Sequence, residues 1–253
     1  MATTMDGKTD HALSKPVTSE FAVAMECNHC VDSVRNELSK NANISNIDIS
    51  LPDQRVVITS TTPPSHLYST LKNLGRTVVF RGVTSGTQRR PSSSANAGVC
   101  IFEHFPGVGT GWAQYDNKGL ARLVQVDDDD DNTMMIDVTL EGLKPLTQHS
   151  INIRECGDIS QGCSSTGGIY KHIGTMDTDE KGRGDLVTEV RHLQLWDVVG
   201  RSLVVEPSSR LDANKANEES ICGIIARSAG LFENVKRVCS CSGKTLWEES
   251  ARI

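Results

Sequence analysis

The sequence lacks three features that would each assign it to a broad class of protein. No apolar run approaches the roughly 18 residues of a membrane-spanning helix, so we expect no stable membrane insertion. Residues 1–16 are polar and lack the apolar stretch of a signal peptide. Positive charge is in deficit, with a net charge of −6, and this disfavours nucleic acid as a partner because phosphate binding needs a basic face. We therefore predict a cytoplasmic protein, with nuclear or mitochondrial intermembrane-space pools as alternatives.

The chain is long enough for two domains, each with its own core, because it has 253 residues. Its eight cysteines, in a cytosolic protein, are expected as metal ligands, redox thiols or core residues rather than a disulfide framework. Changes in composition predict a disordered N-terminus at 1–16, a compact domain at 17–83, a linker rich in Ser, Gly and Arg at 84–97, a strand-rich domain at 98–228, and a flexible tail at 229–253.

The first domain shows the pattern strand, helix, strand, strand, helix, strand. This order predicts a ferredoxin-like βαββαβ domain with both helices on one face of a four-stranded sheet. Pro64 and Gly75 are placed to begin and end the second helix. The expected strands are 20–25, 46–51, 55–60 and 77–80, and the helices carry Val31, Val34 and Leu38, then Leu67, Leu71 and Leu74.

A pair of thiols, Cys27 and Cys30, lies between the first strand and the first helix of this domain. Two thiols three residues apart at a helix N-terminus can converge on one ion, and the helix dipole favours the thiolate. Paired thiolates suit Cu(I). A zinc half-site and a redox pair are the alternative interpretations. We expect Met25 to pack inward and His29 to be an exposed loop residue, so neither is predicted as a ligand.

The second domain consists of short strands separated by Gly and Asp turns, which is typical of an antiparallel barrel or sandwich. The expected strands are 98–102, 120–126, 133–140, 149–155, 184–190, 203–206 and 222–226.

The tail carries a second thiol pair, Cys239 and Cys241. In an extended segment these two side chains point to the same side, so both sulfurs can reach one Cu(I) or form a strained, oxidising disulfide. Leu231, Phe232 and Trp247 flank the pair with apolar groups able to anchor on a partner.

Residues 17–82 resemble the copper-transfer domain of small copper chaperones and copper pumps, and residues 98–228 resemble a copper-zinc superoxide dismutase subunit. The second resemblance rests on 155–158 (ECGD), 162–165 (GCSS), 200–205 (GRSLVV) and 222–225 (CGII). With the segment 226–232 (ARSAGLF) and the tail thiols, the chain resembles the family of copper chaperones for superoxide dismutase. The resemblance implies a Greek-key barrel, and a chaperone rather than an enzyme.

The barrel departs from the dismutase pattern where that pattern needs metal ligands. The segment Tyr170–Thr175, expected as a shortened zinc loop, keeps only His172, and Glu219 replaces an arginine. We therefore expect neither copper nor zinc in the barrel and no dismutase activity. We expect His149 and His172 to be core or loop residues bonded to backbone. The four positions that the resemblance assigns to copper ligands are Asn152, Arg154, Ile169 and Glu206.

The resemblance also implies a disulfide between Cys163 and Cys222, for which two buried reduced thiols are the alternative. Cys100 and Cys156 receive no role.

For partners, the resemblance implies that the barrel docks onto immature copper-zinc superoxide dismutase as a heterodimer, with a stabilising scaffold as the alternative. The expected docking face is near Gly157–Ile159 and Cys222–Arg227. A copper donor such as a membrane copper importer would load the first domain. Cys239 and Cys241 would then transfer copper, a disulfide or both, and homodimerisation is a further expectation. The competing functions are a diverged dismutase with a metal-supply domain and a thiol-redox or zinc-binding protein.

Overall fold

The fold is given by a computed structural model, which contains the two predicted domains in the predicted order. No helix among the residues that it describes is long and apolar enough to cross a membrane. The described residues are 12–85, 96–102, 118–126, 132–208, 220–228 and 231–232.

The first domain is a four-stranded antiparallel sheet with the strand order β2-β3-β1-β4, and both helices pack into one core with it. The ferredoxin-like prediction is therefore confirmed. The last strand continues to Ser85 and so extends beyond the predicted domain boundary at residue 83. The elements are β1 (Val17–Val23), α1 (Asn28–Leu38), β2 (Ile44–Ser50), β3 (Arg55–Ser60), α2 (Pro64–Lys72) and β4 (Val78–Ser85).

Local sequence explains how α1 is oriented and where α2 begins and ends. Val34 and Leu38 lie one turn apart on α1 and are fully buried, so the apolar stripe orients this helix. Pro64 occupies the first turn of α2, where its missing N–H is not needed. Gly75 follows that helix with a φ of 72°, a conformation that glycine adopts without strain.

The second domain is an eight-stranded antiparallel sheet with the order β10-β8-β12-β13-β5-β6-β7-β11. Its edge strands β10 and β11 pack against each other, so the sheet nearly closes into a barrel. Connections from β7 to β8 and from β11 to β12 join strands that are not neighbours, as in a Greek key. The elements are β5 (Ala97–Phe102), β6 (Lys118–Val126), β7 (Thr133–Glu141), β8 (Gln148–Arg154), β9 (Ser160–Cys163), β10 (Ile169–Asp177), β11 (Gly184–Val190), α3 (Leu195–Val198), β12 (Ser202–Pro207) and β13 (Ile221–Arg227).

One sequence prediction about the barrel is wrong. The segment Tyr170–Thr175 is not a shortened metal loop, because it forms most of β10 and pairs along β8. Its inward side chains are few, with Ile173 and Met176 buried, and its register shifts twice along β8. The alternation that would have revealed the strand is therefore weak.

An apolar cluster joins the two domains. Val17 and Val83 of the first domain pack with Val124 and Met135 of the barrel, and Leu13 covers the cluster. All five side chains are buried, so removing this surface from water stabilises the contact between the domains.

A buried polar contact lies beside this cluster. The Ser65 backbone N–H, in the first turn of α2, donates to Asp137 Oδ2 on β7 at 2.8 Å. The same carboxylate oxygen lies 3.7 Å from Arg122 Nη1, and the guanidinium covers the Phe80 ring at 4.5 Å. The barrel thus supplies an acceptor for the N-terminus of α2, whose own N-cap residue, Pro63, makes no side-chain cap.

Candidate functional site

The thiol pair of the first domain lies at the N-terminus of α1. Cys27 is the N-cap residue of the helix and Cys30 lies in its first turn, which brings the two Sγ atoms to 3.6 Å. Cys27 is exposed and Cys30 is partly exposed, so a partner can approach both sulfurs. Met25 is buried in the core and His29 is exposed, which agrees with the expectation for each.

Hydrogen bonds stabilise the thiolate of Cys30. Backbone groups of Glu26 and then Cys27, with the Arg76 guanidinium, lower the pKa of the Cys30 thiol to about 6. Arg76 also donates from Nη1 to the Ala24 carbonyl oxygen at 3.1 Å. The same guanidinium therefore binds both the backbone before Cys27 and the sulfur of Cys30. Cys30 is therefore mostly thiolate at neutral pH, which is the form that binds metals.

Two sulfur atoms 3.6 Å apart can form a site for a soft ion of low coordination number. Structural zinc takes four ligands, so a single thiol pair is only half of a zinc site. Within the described residues, no group of three or more His, Cys, Asp or Glu side chains is placed to hold a metal ion. The donor set of Cys27 and Cys30 fits Cu(I) better than zinc.

An ion pair fills barrel positions that were expected, from the resemblance, to correspond to the copper ligands of a dismutase. Arg154 Nη2 on β8 donates to Oε1 and Oε2 of Glu206 on β12, both at 2.8 Å. Asn152 Nδ2 donates to Glu206 Oε1 at 2.8 Å as well. The carboxylate is therefore already occupied by two donors, one of which carries a fixed positive charge, and that charge opposes a cation.

The remaining expected positions do not restore a metal site. Ile169 is exposed and has no donor atom. His172 Nδ1 donates to the side-chain oxygen of Asn152 at 2.9 Å, so the expected backbone partner was wrong for this histidine. His149 is buried and its Nδ1 bonds the Thr147 carbonyl oxygen at 3.1 Å, as expected.

Three barrel thiols lie close together. Cys163 is hydrogen-bonded to Cys222, and both residues are thiols in the structure rather than halves of a disulfide. The hydrogen bond to Cys222 and burial raise the pKa of Cys163. Burial, with Cys222 nearby, raises the pKa of Cys100. The predicted Cys163–Cys222 disulfide stays a prediction. Cys156 is exposed and receives no role.

Comparison with known proteins agrees with both halves of this description. The heavy-metal-associated domain model matches residues 20–77, and the copper/zinc superoxide dismutase model matches residues 117–225. The copper chaperone for superoxide dismutase of Homo sapiens is 34% identical over 93% of this chain and 89% of its own length. The rat protein of the same name is also 34% identical, over 92% of this chain and 89% of its own. The Saccharomyces cerevisiae superoxide dismutase 1 copper chaperone is 32% identical over 90% of this chain and 92% of its own.

The chain belongs to the family of copper chaperones for superoxide dismutase. This membership brings the thiol pair and the barrel into one description. The domain with the exposed thiols matches the heavy-metal-associated model, and the domain that matches the dismutase model carries the Arg154–Glu206 ion pair.

The barrel of this family member carries an exposed apolar face where the docking surface was expected. Ile224 on β13 is 42% exposed, and Ile101 on the paired strand β5 is 50% exposed. The register of these strands places the two side chains opposite each other. Gly157 lies beside Ile224 and packs closely against Gly200. A Cβ at Gly157 would come within 2.1 Å of the Gly200 carbonyl oxygen and 3.6 Å of Ile224. These residues, Ile101, Gly157, Gly200 and Ile224, are called the apolar face below.

Several predicted tail residues, Cys239, Cys241 and Trp247, lie outside the described residues, as does Glu219. Phe232 is described, and it contacts the first domain of its own chain. Neither this contact nor the role of Arg76 beside Cys30 was predictable from the sequence. Arg76 belongs to no motif, and Phe232 was expected to anchor on a partner protein rather than on its own chain, so only the fold brings each residue to its contact.

Proposed function

We propose that this protein captures Cu(I) through Cys27 and Cys30 and delivers it to immature copper-zinc superoxide dismutase. The Arg154–Glu206 ion pair is the observation that carries this proposal. A dismutase-like barrel whose expected copper position is filled by an ion pair supports a role in recognising the dismutase rather than in removing superoxide. The thiol pair on the other domain supports transport.

Capture begins at the exposed sulfur atoms. Cys30, with a pKa of about 6, offers a thiolate without prior loss of a proton at neutral pH, and Cys27 lies 3.6 Å away to complete a two-sulfur site. A copper donor such as a membrane copper importer loads this site in the cytoplasm. Exchange proceeds by replacing the donor's sulfur ligands one at a time, which is the reason that an exposed pair suits transfer.

Recognition uses the apolar face of the barrel. Isologous dimers bury the same patch on both subunits, so a barrel with a similar patch can take the place of one dismutase subunit. Ile101 and Ile224 supply the apolar contact, and the close approach of Gly157 to Gly200 leaves no room for a side chain between them. The same face would support a homodimer that competes with the dismutase.

The tail completes the transfer through Cys239 and Cys241. As thiolates the pair carries copper into the target. As a disulfide it is attacked by a target thiolate, forms a mixed disulfide, and leaves as a dithiol when the second target thiolate attacks. The target is then oxidised by two electrons and the tail pair is reduced by two.

The docking step is tested by Ile224→Asp, measured by analytical ultracentrifugation with copper-free dismutase. The heterodimer should be lost while circular dichroism stays unchanged, because a carboxylate on the outer surface is desolvated only on docking. The matched control is Leu146→Asp, since Leu146 is 76% exposed and lies outside the apolar face. Heterodimer formation by Ile224→Asp at wild-type affinity would contradict this use of the face.

A further inference from the structure

The start of the tail is bound to the sheet of the first domain. The Phe232 backbone N–H donates to Glu20 Oε2 at 2.7 Å. Its ring lies under the Arg55 guanidinium, 5.0 Å from the guanidinium carbon to the ring centre. One backbone contact and one side-chain contact therefore fix the same residue from two neighbouring strands, β1 and β3.

Glu20 is an unusual residue for a β-strand surface because it is a carboxylate that is only 2% exposed. Phe21 and Val23 face the helices, so Glu20 lies on the opposite, helix-free face of the sheet. Its Oε1 lies 3.7 Å from Arg81 Nη1 on β4. A buried carboxylate needs hydrogen bonds as well as a counter-ion. Phe232 supplies such a hydrogen bond.

The backbone of Phe232 also indicates a defined contact. Its φ is 64°, in the left-handed region that an aromatic residue rarely adopts. Such a conformation persists where surrounding contacts fix it. Phe232 is 49% exposed, and the Arg55 guanidinium covers one face of its ring.

We propose that Glu20, Arg55 and Arg81 form a docking site for the chain's own tail, with Phe232 as the anchor. The site has one carboxylate for the backbone N–H and one guanidinium for the aromatic face. The segment that occupies it is Leu231–Phe232, only seven residues before Cys239. The anchor therefore fixes where the second thiol pair begins.

The docking site lies at the same end of the sheet as the first thiol pair. Arg55 is opposite Ala22 in the β1–β3 register. The preceding residue, Gln54, donates from Nε2 to the Met25 carbonyl oxygen at 3.0 Å, within the loop that leads to Cys27.

Chain length makes the two thiol pairs mutually accessible. An extended chain spans at most about 3.5 Å per residue, so the seven residues from Phe232 to Cys239 cover up to roughly 25 Å. The five residues from Ala22 to Cys27 cover at most roughly 18 Å. Docking of Phe232 thus holds Cys239 and Cys241 within reach of the first pair and raises their effective concentration. This consequence rests on the proposed transfer of copper between the pairs, whereas the docking site does not.

Fluorine NMR of the full-length protein with 4-fluorophenylalanine at position 232 tests the docking site. The resonance should lie away from its position in urea, and Arg55→Ala or Glu20→Gln should move it at least halfway back. The control is Lys72→Ala, which removes a cation–π contact to Tyr68 on the helix face of the same domain. Circular dichroism confirms that each variant is folded. The proposal is overturned if neither variant moves the resonance, or if the control moves it equally.

Thiol cross-linking tests the consequence. Metal-free, reduced full-length protein is treated with a short bis-maleimide, and the products are mapped by mass spectrometry. Links between the first and second thiol pairs should form about 10-fold faster in the wild type than in Phe232→Ala. Equal cross-linking rates in the wild type and in Phe232→Ala would contradict the inference that docked Phe232 holds the tail near the first thiol pair. The experiment contains no copper and no dismutase, so its failure is distinguishable from failure of the delivery function.

Discussion

Replacing Asp137 by Asn should loosen the contact between the two domains. Asp137 is fully buried and accepts a hydrogen bond from Ser65 N–H at the start of α2. It also provides the negative charge 3.7 Å from Arg122, which is itself buried. Burial lowers the pKa of the Arg122 guanidinium, and the negative charge of Asp137 opposes that shift.

The size of the effect follows from the charge left behind. Asparagine keeps the shape and an acceptor for Ser65, but Arg122 loses its counter-ion in a desolvated position. Removing one member of a buried ion pair costs about 3–5 kcal/mol. The Phe80 ring, 4.5 Å from the guanidinium, retains a cation–π attraction of up to about 2 kcal/mol. We therefore expect the free energy of unfolding to fall by about 3 kcal/mol.

Urea unfolding followed by two probes measures this loss and locates it. All three tryptophans, at positions 112, 196 and 247, lie outside the first domain, so fluorescence reports on the barrel and tail. Circular dichroism in the helical region reports chiefly on α1 and α2. The two transitions should separate in Asp137→Asn because the link between the domains is weakened.

Asp185→Asn is the control. It removes a carboxylate 3.1 Å from Arg183, with both side chains 38% exposed, so it should cost less than about 1 kcal/mol. If Asp137→Asn costs no more than this exposed pair, the buried contact does not hold the domains together and the reasoning fails.

Three further predictions concern the thiol site and the barrel. In a protein whose tail thiols Cys239 and Cys241 are already replaced by Ser, Cys27→Ser with Cys30→Ser should abolish the remaining tight Cu(I) site in equilibrium competition without changing circular dichroism, and retention of a tight site would show that copper binds elsewhere. Iodoacetamide alkylation of Cys30 should fall as pH drops through about 6, because the reactive thiolate is protonated there, and Arg76→Gln should move this midpoint to higher pH. An unchanged midpoint in Arg76→Gln would show that Arg76 does not lower the pKa of Cys30. Copper-loaded protein should remove superoxide only at background rate, and chelator-resistant turnover by the barrel would contradict the loss of its copper site.

The fold was largely predictable because most elements carry a strong periodic pattern. The first domain has helical apolar stripes between alternating strands, and Pro64 and Gly75 mark the ends of α2. The edge strand β10 was missed because its exposed face is mixed and only two of its apolar side chains are buried. A strand that owes its pairing to a neighbour distant in sequence leaves little local signal.

The site was predictable where it depends on spacing and not where it depends on tertiary contact. Cys27 and Cys30 follow from their interval and from the helix that begins between them. The Arg154–Glu206 pair joins residues on β8 and β12, so the sequence showed missing ligands but not what replaced them. The docking of Phe232 on Glu20 joins residues more than 200 positions apart, and no pattern in the chain links them.

Activation of copper-free dismutase by the Cu(I)-loaded protein, with free copper held by excess chelator, tests the delivery function most directly. The wild type should restore dismutase activity in proportion to the copper that it carries. The variant Cys27→Ser with Cys30→Ser, taken through the same loading, should give background activity because the capture site is gone. Equal activation by this variant, or activation by the wild type only when the chelator is omitted, would contradict delivery through the first thiol pair.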